Sequence, residues 1–378
     1  MSDARPVLCV FGTRPEAIKM VPVVRALART PGLRPIVCVT DQHREMLDQV
    51  LDFFGVRPDH RLGVMQAAQS PTQVAARVLE RLPAVLETIA PAAVLVQGDT
   101  TTTFAAAVAA FYARIPVGHV EAGLRTWRLD APFPEEANRQ LATVVARWHF
   151  APTTWARDNL LREGVPAAAV DVTGNTVIDA LRWASELVAA RGRRVLPRLD
   201  ETRRLVLVTA HRRENFGGPF RELCEALREL AERNADVELV YPVHLNPEVQ
   251  APVRAILADH PRVHLLPPVD YPDLVDLLGR ATIVITDSGG IQEEAPTFGK
   301  PVLVMRETTE RPEGVEAGTA RLVGTSRARI VAEAERLLRD PAAYAAMAEA
   351  HNPYGDGRAA ERIADILAAA LTDGRVLV

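Results

Sequence analysis

The chain alternates short apolar runs with longer amphipathic segments over most of its 378 residues. Buried strands that alternate with amphipathic helices indicate parallel sheets covered by helices on both faces. Val-, Ile- and Leu-rich runs predict strands at 7–12, 35–40, 93–98, 116–121, 148–152, 170–173, 205–210, 237–243, 263–267, 282–287 and 301–305. The intervening segments carry apolar residues at three- and four-residue spacing, as in the stripe Val74, Val78, Leu82, Val85 and Ile89, and are predicted to be helices. The pattern therefore predicts an α/β fold.

The length of the chain and one break in the alternation predict two domains. A single hydrophobic core stops growing at about 250–300 residues, and the basic, proline-bearing stretch 191–203 interrupts the pattern after a helix predicted at 176–190. We expect an N-terminal Rossmann-like domain over 1–174, joined by the C-terminal helix 358–378. A C-terminal Rossmann-like domain over 175–357 would include the linker 191–203. Ligands would bind at the carboxyl ends of the strands, in a central cleft.

The bulk composition excludes several classes of function. A net charge of −4 and a pI near 6.2 leave no polycation for nucleic acid or an anionic membrane. Because the N-terminal residues lead into a strand without a signal-peptide core, we expect a cytoplasmic location. Cys9 and Cys38 fall inside apolar runs and are predicted to be reduced core thiols. With no zinc-site spacing and no Walker loop, we expect neither a metal nor a cofactor.

One βα junction near the C-terminus has the features of a phosphate site. A predicted strand ending at Asp287 is followed by Ser288, Gly289 and Gly290 and then by a helix. Glycines allow the backbone to approach a ligand closely, and a helix start offers free N–H groups. Glu294, about one turn further on, would lie within reach of a ribose. The alternative is an ordinary turn with an acidic helix start.

The first βα turn carries two cations. Thr13 and Pro15 suit the start of a helix, Arg14 lies in the turn, and Lys19 follows about one turn along the helix. Positive charge beside a strand end suits a diphosphate, particularly where no metal is bound. An exposed cation pair is the alternative, although the helix dipole disfavours it.

Three carboxylates and two histidines follow predicted strands or begin a helix. Asp99 and Glu121 end neighbouring strands, and Glu135 stands at the entrance to the next helix. Side chains at one sheet edge can form an acid/base cluster, although each alone could equally be a cap. His211 ends the first strand of the second domain and His244 ends the next, where either could contact a phosphate or a leaving oxygen.

These residues belong to motifs that together resemble the non-hydrolysing UDP-N-acetylglucosamine 2-epimerases. The motifs occur in order over nearly the whole chain, at 11–19, 98–103, 118–125, 134–139, 173–176, 287–296, 308–313 and 352–357. The resemblance implies a GT-B fold and reversible conversion of UDP-GlcNAc to UDP-ManNAc. It implies elimination of UDP across C1–C2 to give 2-acetamidoglucal, followed by re-addition. It further implies a homodimer that supplies ManNAc units for cell-surface polysaccharide.

The same resemblance implies roles for individual residues. Cationic side chains would hold or stabilise the departing diphosphate: Arg14, Lys19, His211 and Arg311. Ser288, Gly289 and Gly290 would cradle it, and Glu294 would bind the ribose. An acid/base group would consist of Asp99, Glu121 and Glu135, with the carboxylate acting on each face of C2 left open.

A regulatory substrate site is also implied by the resemblance. Its matching positions are Gln42, Gln69, Arg212 and His244. Glu45 and Ala68 stand where the family pattern has Gln and Arg, which weighs against activation by UDP-GlcNAc. In the stretch expected to face uracil, Val269 and Leu274 replace Gln and Phe. A glycosyltransferase on the same scaffold, a hydrolysing 2-epimerase and a non-catalytic nucleotide-sugar sensor remain as alternatives.

Overall fold

The structure is a computed structural model that describes residues 4–42, 44–66, 69–191, 199–200 and 202–372. It divides into two compact units. The first comprises Met1–Arg182 with Tyr354–Val378, and the second comprises Trp183–Pro353. Most of the predicted linker, 192–198 and 201, lies outside the described residues, as does 373–378 of the predicted C-terminal helix.

All strands in the described ranges belong to two parallel sheets. They are β1 (Arg5–Phe11), β2 (Leu33–Val39), β3 (His60–Arg61), β4 (Ala93–Gln97), β5 (Val117–Val120), β6 (Trp148–Ala151), β7 (Val170–Val172), β8 (Arg204–Thr209), β9 (Val237–Pro242), β10 (Val263–Leu266), β11 (Ile283–Thr286), β12 (Val302–Val304) and β13 (Ala320–Leu322). The first sheet has the order β3-β2-β1-β4-β5-β6-β7 and the second β10-β9-β8-β11-β12-β13.

Helices connect successive strands. They are α1 (Arg14–Arg29), α2 (Arg44–Phe54), α3 (Pro71–Ile89), α4 (Thr101–Tyr112), α5 (Glu135–Val145), α6 (Thr154–Arg162), α7 (Thr176–Arg191), α8 (Gly218–Arg233), α9 (Pro247–Leu257), α10 (Tyr271–Arg280), α11 (Gly289–Glu294), α12 (Pro312–Glu316), α13 (Arg327–Arg339), α14 (Pro341–Ala348) and α15 (Ala359–Thr372). Parallel neighbours require such crossovers because the chain must return to the same edge of the sheet. The predicted α/β class is confirmed.

The eleven predicted strands are all present, with ends within two residues of those expected. Two strands were missed, β3 and β13, and each forms an edge of its sheet. They span only two and three residues, so no periodicity could reveal them. Their pairing, such as Cys38 with His60, depends on the neighbouring strand being in place.

The core is formed where helix stripes meet the sheets. Val74, Val78 and Leu82 of α3 are buried against the first sheet, which confirms the predicted stripe. Cys9 and Cys38 are free and buried, and burial raises the pKa of each thiol to about 12. None of the helices in the described ranges combines the length and apolar composition that a membrane span requires.

Each sheet has one point at which the strand order reverses. In the first sheet it lies between β1 and β4, and in the second between β8 and β11. The crossovers on either side of such a point leave in opposite directions, which opens a crevice at the carboxyl ends of the strands. The predicted site residues of each unit follow these strands.

Candidate functional site

The turn between β1 and α1 lies very close to its neighbours. A Cβ on Gly12 would fall 1.9 Å from Thr40 Oγ1 and 2.9 Å from Thr102 Oγ1, so only glycine fits. Thr13 is the N-cap of α1, and the half-buried Arg14 is its first residue. Arg14 forms no hydrogen bond or ion pair with any residue that the structure describes. Its guanidinium therefore retains its donors for a ligand.

Two of the predicted acid/base residues occupy the ends of neighbouring strands. Gln97 pairs with Val120 in the sheet, so Asp99 and Glu121 leave from the same edge. Glu121 has a φ of +63°, in the left-handed region that is uncommon for a residue with a side chain. Such a conformation costs free energy and is held by the surrounding contacts.

The side chain of Glu121 is held by three partners. Lys19 Nζ and Gln97 Nε2 make short contacts with its two oxygens, and Asn175 Nδ2 donates to Oε1 at 3.1 Å. The Lys19 side chain is 14% exposed and that of Glu121 only 6% exposed. Lys19, expected to bind diphosphate, thus lies against a carboxylate that was predicted to belong to the acid/base group.

Asp99 is held from α5, the helix that begins with Glu135. Arg139 donates to Asp99 Oδ2, and Asn138 Nδ2 donates to the Asp99 carbonyl oxygen at 3.0 Å. Glu136, fully buried, also contacts Arg139, with Arg139 NH1 3.4 Å from Glu136 Oε2. Glu135 therefore lies about one turn of α5 away from the two residues that hold Asp99.

A cavity of about 600 Å³ opens beside these turns in the first unit. Its walls include four predicted site residues, Arg14, Gln42, Gln69 and Glu135. It also reaches Thr100, the residue after Asp99. Residues that the sequence assigned to diphosphate binding, proton transfer and regulation therefore share one cavity.

In the second unit, the turn after β11 packs against an arginine. A Cβ on Gly289 would fall 3.1 Å from Glu310 Oε1 and 3.4 Å from Arg311 Cζ, so the guanidinium lies on the glycine backbone. Arg311 Nε donates to Glu293 Oε1 at 2.8 Å. This arrangement presents backbone and cation together, as a bound phosphate requires.

Ser288 and Glu294 stand at the two ends of α11. Ser288 is its N-cap, and its N–H donates to Thr286 Oγ1 at 2.9 Å. Glu294 is 8% exposed, and a Cβ on Gly290 would lie 3.8 Å from its Oε1. A side chain at position 290 would therefore lie in contact with the Glu294 carboxylate.

His211 and Arg212 leave β8 beside the same turn. Both backbone N–H groups donate to Asp287 Oδ2 at 2.8 Å. The His211 ring stacks on His244, with centroids 5.4 Å apart and planes 17° from parallel. Burial is the main cause that lowers the pKa of His211; Arg212 and His244 lower it further, and Asp287 opposes them. A neutral imidazole can donate to an oxygen without adding charge.

A half-buried carboxylate joins three arginines of this unit. Glu310 accepts from Arg306 and lies 3.5 Å from Arg311 and 3.6 Å from Arg212. Burial opposes ionisation of Glu310, but Arg311 and Arg306 outweigh it and hold its pKa at about 2. The three guanidiniums are therefore held close together despite their like charge.

Several residues that contact the predicted site residues were not themselves predicted. Most of them lie within the motifs that resemble the epimerase family. Arg139, Asn175, Asp287 and Glu310 each fall within one, and Arg306 lies just before one. Sequence spacing could not show that they contact the predicted residues across long separations. Val269 and Leu274, expected near uracil, are partly buried against the apolar cluster of the second sheet. Glu45 is exposed on α2, and Ala68 lies outside the described residues.

Known proteins resemble this chain in sequence and fold over nearly its whole length. The family model for UDP-N-acetylglucosamine 2-epimerase matches residues 25–368. UDP-N-acetylglucosamine 2-epimerase of Escherichia coli K12 is 55% identical over 367 residues, covering 96% of this chain and 98% of that protein. The UDP-GlcNAc 2-epimerase of Neisseria meningitidis bound to UDP-GlcNAc superposes with a TM-score of 0.88 at 47% identity, covering 96% of this chain and 100% of the other. The co-structure of S. aureus MnaA with UDP superposes with a TM-score of 0.87 at 44% identity, covering 97% of each chain. The chain has the GT-B fold and belongs to the UDP-N-acetylglucosamine 2-epimerase family.

Proposed function

We propose that this enzyme interconverts UDP-N-acetylglucosamine and UDP-N-acetylmannosamine by the non-hydrolysing route. The observation that carries the proposal is the pair of carboxylates at adjacent strand ends, Asp99 and Glu121, with Lys19 on Glu121. Epimerisation at carbon requires a proton to leave one face and return to the other, and placed carboxylates perform such transfers. Relatives that match nearly the whole chain are named as 2-epimerases of UDP-N-acetylglucosamine.

The proposed reaction proceeds in two stages, elimination of UDP and its re-addition. A carboxylate of the acid/base group, Asp99, Glu121 and Glu135, removes the C2 proton. The electron pair of the C2–H bond forms the C1–C2 double bond as the C1–O bond breaks, giving 2-acetamidoglucal and UDP. A protonated group then returns a proton to the opposite face of C2, and a UDP oxygen re-forms the bond to C1. No water is consumed, and no redox partner is required.

The second unit binds the nucleotide in this proposal. Ser288, Gly289 and Gly290 hold the diphosphate, with Arg311 lying on the glycine backbone. Glu294 accepts from the ribose hydroxyls. His211 stabilises negative charge on the leaving oxygen, since preorganised donors act most strongly where charge develops. Arg14 supplies a further cation, because its guanidinium has no described partner within the chain.

Three finer properties belong to the same proposal. Gln42 and Gln69 line the cavity that contains Arg14 and Glu135. They match regulatory positions of the family in the first unit, as Arg212 and His244 do in the second. The enzyme acts in the cytoplasm, where UDP-sugars for cell-surface polysaccharide are made. It forms a homodimer, which accounts for exposed apolar residues on the packed helices α4 and α5, notably Tyr112 (77% exposed) and Val144 (81% exposed). Sedimentation of the wild type and of Val144→Asp tests the dimer.

Incubation with UDP-GlcNAc in D₂O, without an acceptor, tests the reaction. We expect UDP-ManNAc that carries deuterium at C2, together with deuterium in recovered substrate. Epimer without deuterium at C2 would rule out the proton-transfer mechanism.

The alternatives predict other products in the same assay. Free ManNAc with matching UDP release would identify a hydrolysing enzyme. Sugar transfer that occurs only when an acceptor is added would identify a glycosyltransferase. Binding of UDP-GlcNAc without any turnover would identify a sensor.

A further inference from the structure

Glu16 is a buried carboxylate to which the proposed reaction assigns no role. It lies in the first turn of α1 and is 2% exposed. Its Oε2 accepts from the backbone N–H groups of Gly12 at 2.9 Å and Thr13 at 2.8 Å. These two bonds are a local helix cap, as a glutamate at this position often makes. The other oxygen accepts from the Thr100 hydroxyl at 2.6 Å, across 84 positions of sequence.

The connection continues beyond Thr100 towards Glu121. The Thr103 backbone N–H donates to Thr100 Oγ1 at 3.2 Å, and Thr103 Oγ1 donates to the Gln97 carbonyl oxygen at 2.6 Å. The Gln97 side chain in turn donates to Glu121. A chain of contacts therefore links the first turn of α1 to the end of β4 and to an acid/base residue.

Glu16 spans the point at which the order of the first sheet reverses. Thr13 directly precedes Arg14 in the turn after β1, and Thr100 directly follows Asp99 in the turn after β4. We infer that Glu16 is a positioning residue, which sets the separation between the turn that carries Arg14 and the turn that carries Asp99. This inference rests on the proposed function for the roles of those two residues.

A cap alone does not account for the placement of Glu16. Capping needs only Oε2, whereas a buried carboxylate with neutral donors is costly to maintain. Burial is the largest influence on its pKa and raises it, against the lowering effect of the hydrogen bonds. Exceptions to the usual rules of burial concentrate at functional sites, where another requirement compensates for them.

The second unit contains an equivalent arrangement. Asp287 is fully buried at the end of β11, and its Oδ2 accepts from His211 and Arg212 at the end of β8. These strands flank the reversal of the second sheet. In both units a buried carboxylate joins the two turns at the reversal, and in both the joined turns carry predicted site residues.

Variants of Glu16 and Thr100 separate a positioning role of Glu16 from its role as a helix cap. Glu16→Ala removes every bond. Glu16→Gln can keep its oxygen on the two N–H groups and donate to Thr100, whose hydroxyl would then accept. Thr100→Val removes the connection and the N-cap of α4 but leaves the cap of α1, whereas Thr100→Ser keeps all three. Asp340→Ala is the matched control, because Asp340 caps α14 through two N–H groups at 2.9 and 3.1 Å in the second unit.

We expect Glu16→Ala to lower kcat about 100-fold, as a displacement near 1 Å can do, with KM within about 3-fold. Glu16→Gln and Thr100→Ser should each retain most of the wild-type kcat, and Asp340→Ala should retain all of it. Thr100→Val should add no further loss to Glu16→Ala. Wild-type kcat in Glu16→Ala, or additive losses in the double variant, would overturn the inference while leaving the epimerase proposal intact.

Crystal structures of the wild type and Glu16→Ala provide a test that does not depend on activity. The separation between the Cα atoms of Arg14 and Asp99 should change by about 1 Å, the displacement that accounts for the expected loss. An unchanged separation would overturn the inference even if the wild type failed to epimerise UDP-GlcNAc, a result that would separately refute the proposed function.

Discussion

Replacing Gly12 by alanine tests how tightly the turn after β1 is packed. The new methyl group would meet Thr40 Oγ1 at 1.9 Å and Thr102 Oγ1 at 2.9 Å, with Thr40 Cβ at 3.3 Å. Non-bonded heavy atoms do not come within 3.0 Å of a Cβ, so either the turn or both threonines must move. Insertion of one carbon into a closely packed region costs about 1–3 kcal/mol. For a unit of this size that corresponds to a fall in Tm of about 2–12 °C.

Thermal unfolding by circular dichroism measures the effect, and epimerase assays follow the accompanying loss of activity. Gly279→Ala in α10 is the matched control, because its added Cβ would have no neighbour within 4 Å. Alanine in a helix is favoured over glycine by roughly 0.5–1 kcal/mol, so the control should be equal to or more stable than the wild type.

A second change relieves the clash. Thr40→Ala removes the oxygen at 1.9 Å, and Gly12→Ala/Thr40→Ala should therefore be more stable than Gly12→Ala alone. A Gly12→Ala protein with the wild-type Tm would refute the packing argument. So would a double variant in which the two losses simply add.

Three further outcomes are expected. Asp99→Asn, Glu121→Gln and Glu135→Gln should each lose several orders of magnitude in turnover while retaining UDP binding by calorimetry; near-normal turnover in one would remove that residue from the acid/base group. Glu294→Ala should weaken UDP binding by about 10-fold or more, since a hydrogen bond to a charged group is lost, and an unchanged Kd would refute its ribose role. Burial raises the pKa of Asp179 from 3.8 to about 6, so its contribution to stability is present below pH 3.8 and is lost as the pH rises through 6. The free energy of unfolding of Asp179→Asn, measured in urea relative to the wild type, should therefore rise by about 3 kcal/mol between pH 4 and pH 7. A difference between the two proteins that stays constant with pH would contradict the pKa shift.

Much of the fold could be predicted because its signals are local. The run Val94–Gln97 is apolar and bounded by turn residues, and α3 repeats apolar residues every three or four positions. Such patterns depend on neighbours in sequence, which the chain itself displays. The strand His60–Arg61 has no such signal, because it exists only through pairing with β2.

The sequence predicted which residues stand at the candidate site, but not which partners they contact. Asp99, Glu121 and Arg14 could be selected because they follow strands or begin a helix. That Lys19 pairs with Glu121, 102 positions away, could not be read from spacing. Nor could the contact between Arg139 and Asp99, because both follow from helices packing on the sheet.

The sequence by itself determined the alternation of strands and helices, the motifs at the strand ends and the family. Only the tertiary structure decided which of those motifs meet. The glycine at position 12 illustrates the difference. In sequence it is one of 22 glycines, whereas in the structure it is the point where β1, β2 and α4 approach too closely for any side chain. Close packing is a property of three-dimensional neighbours, and a linear pattern specifies those neighbours only after the chain has folded.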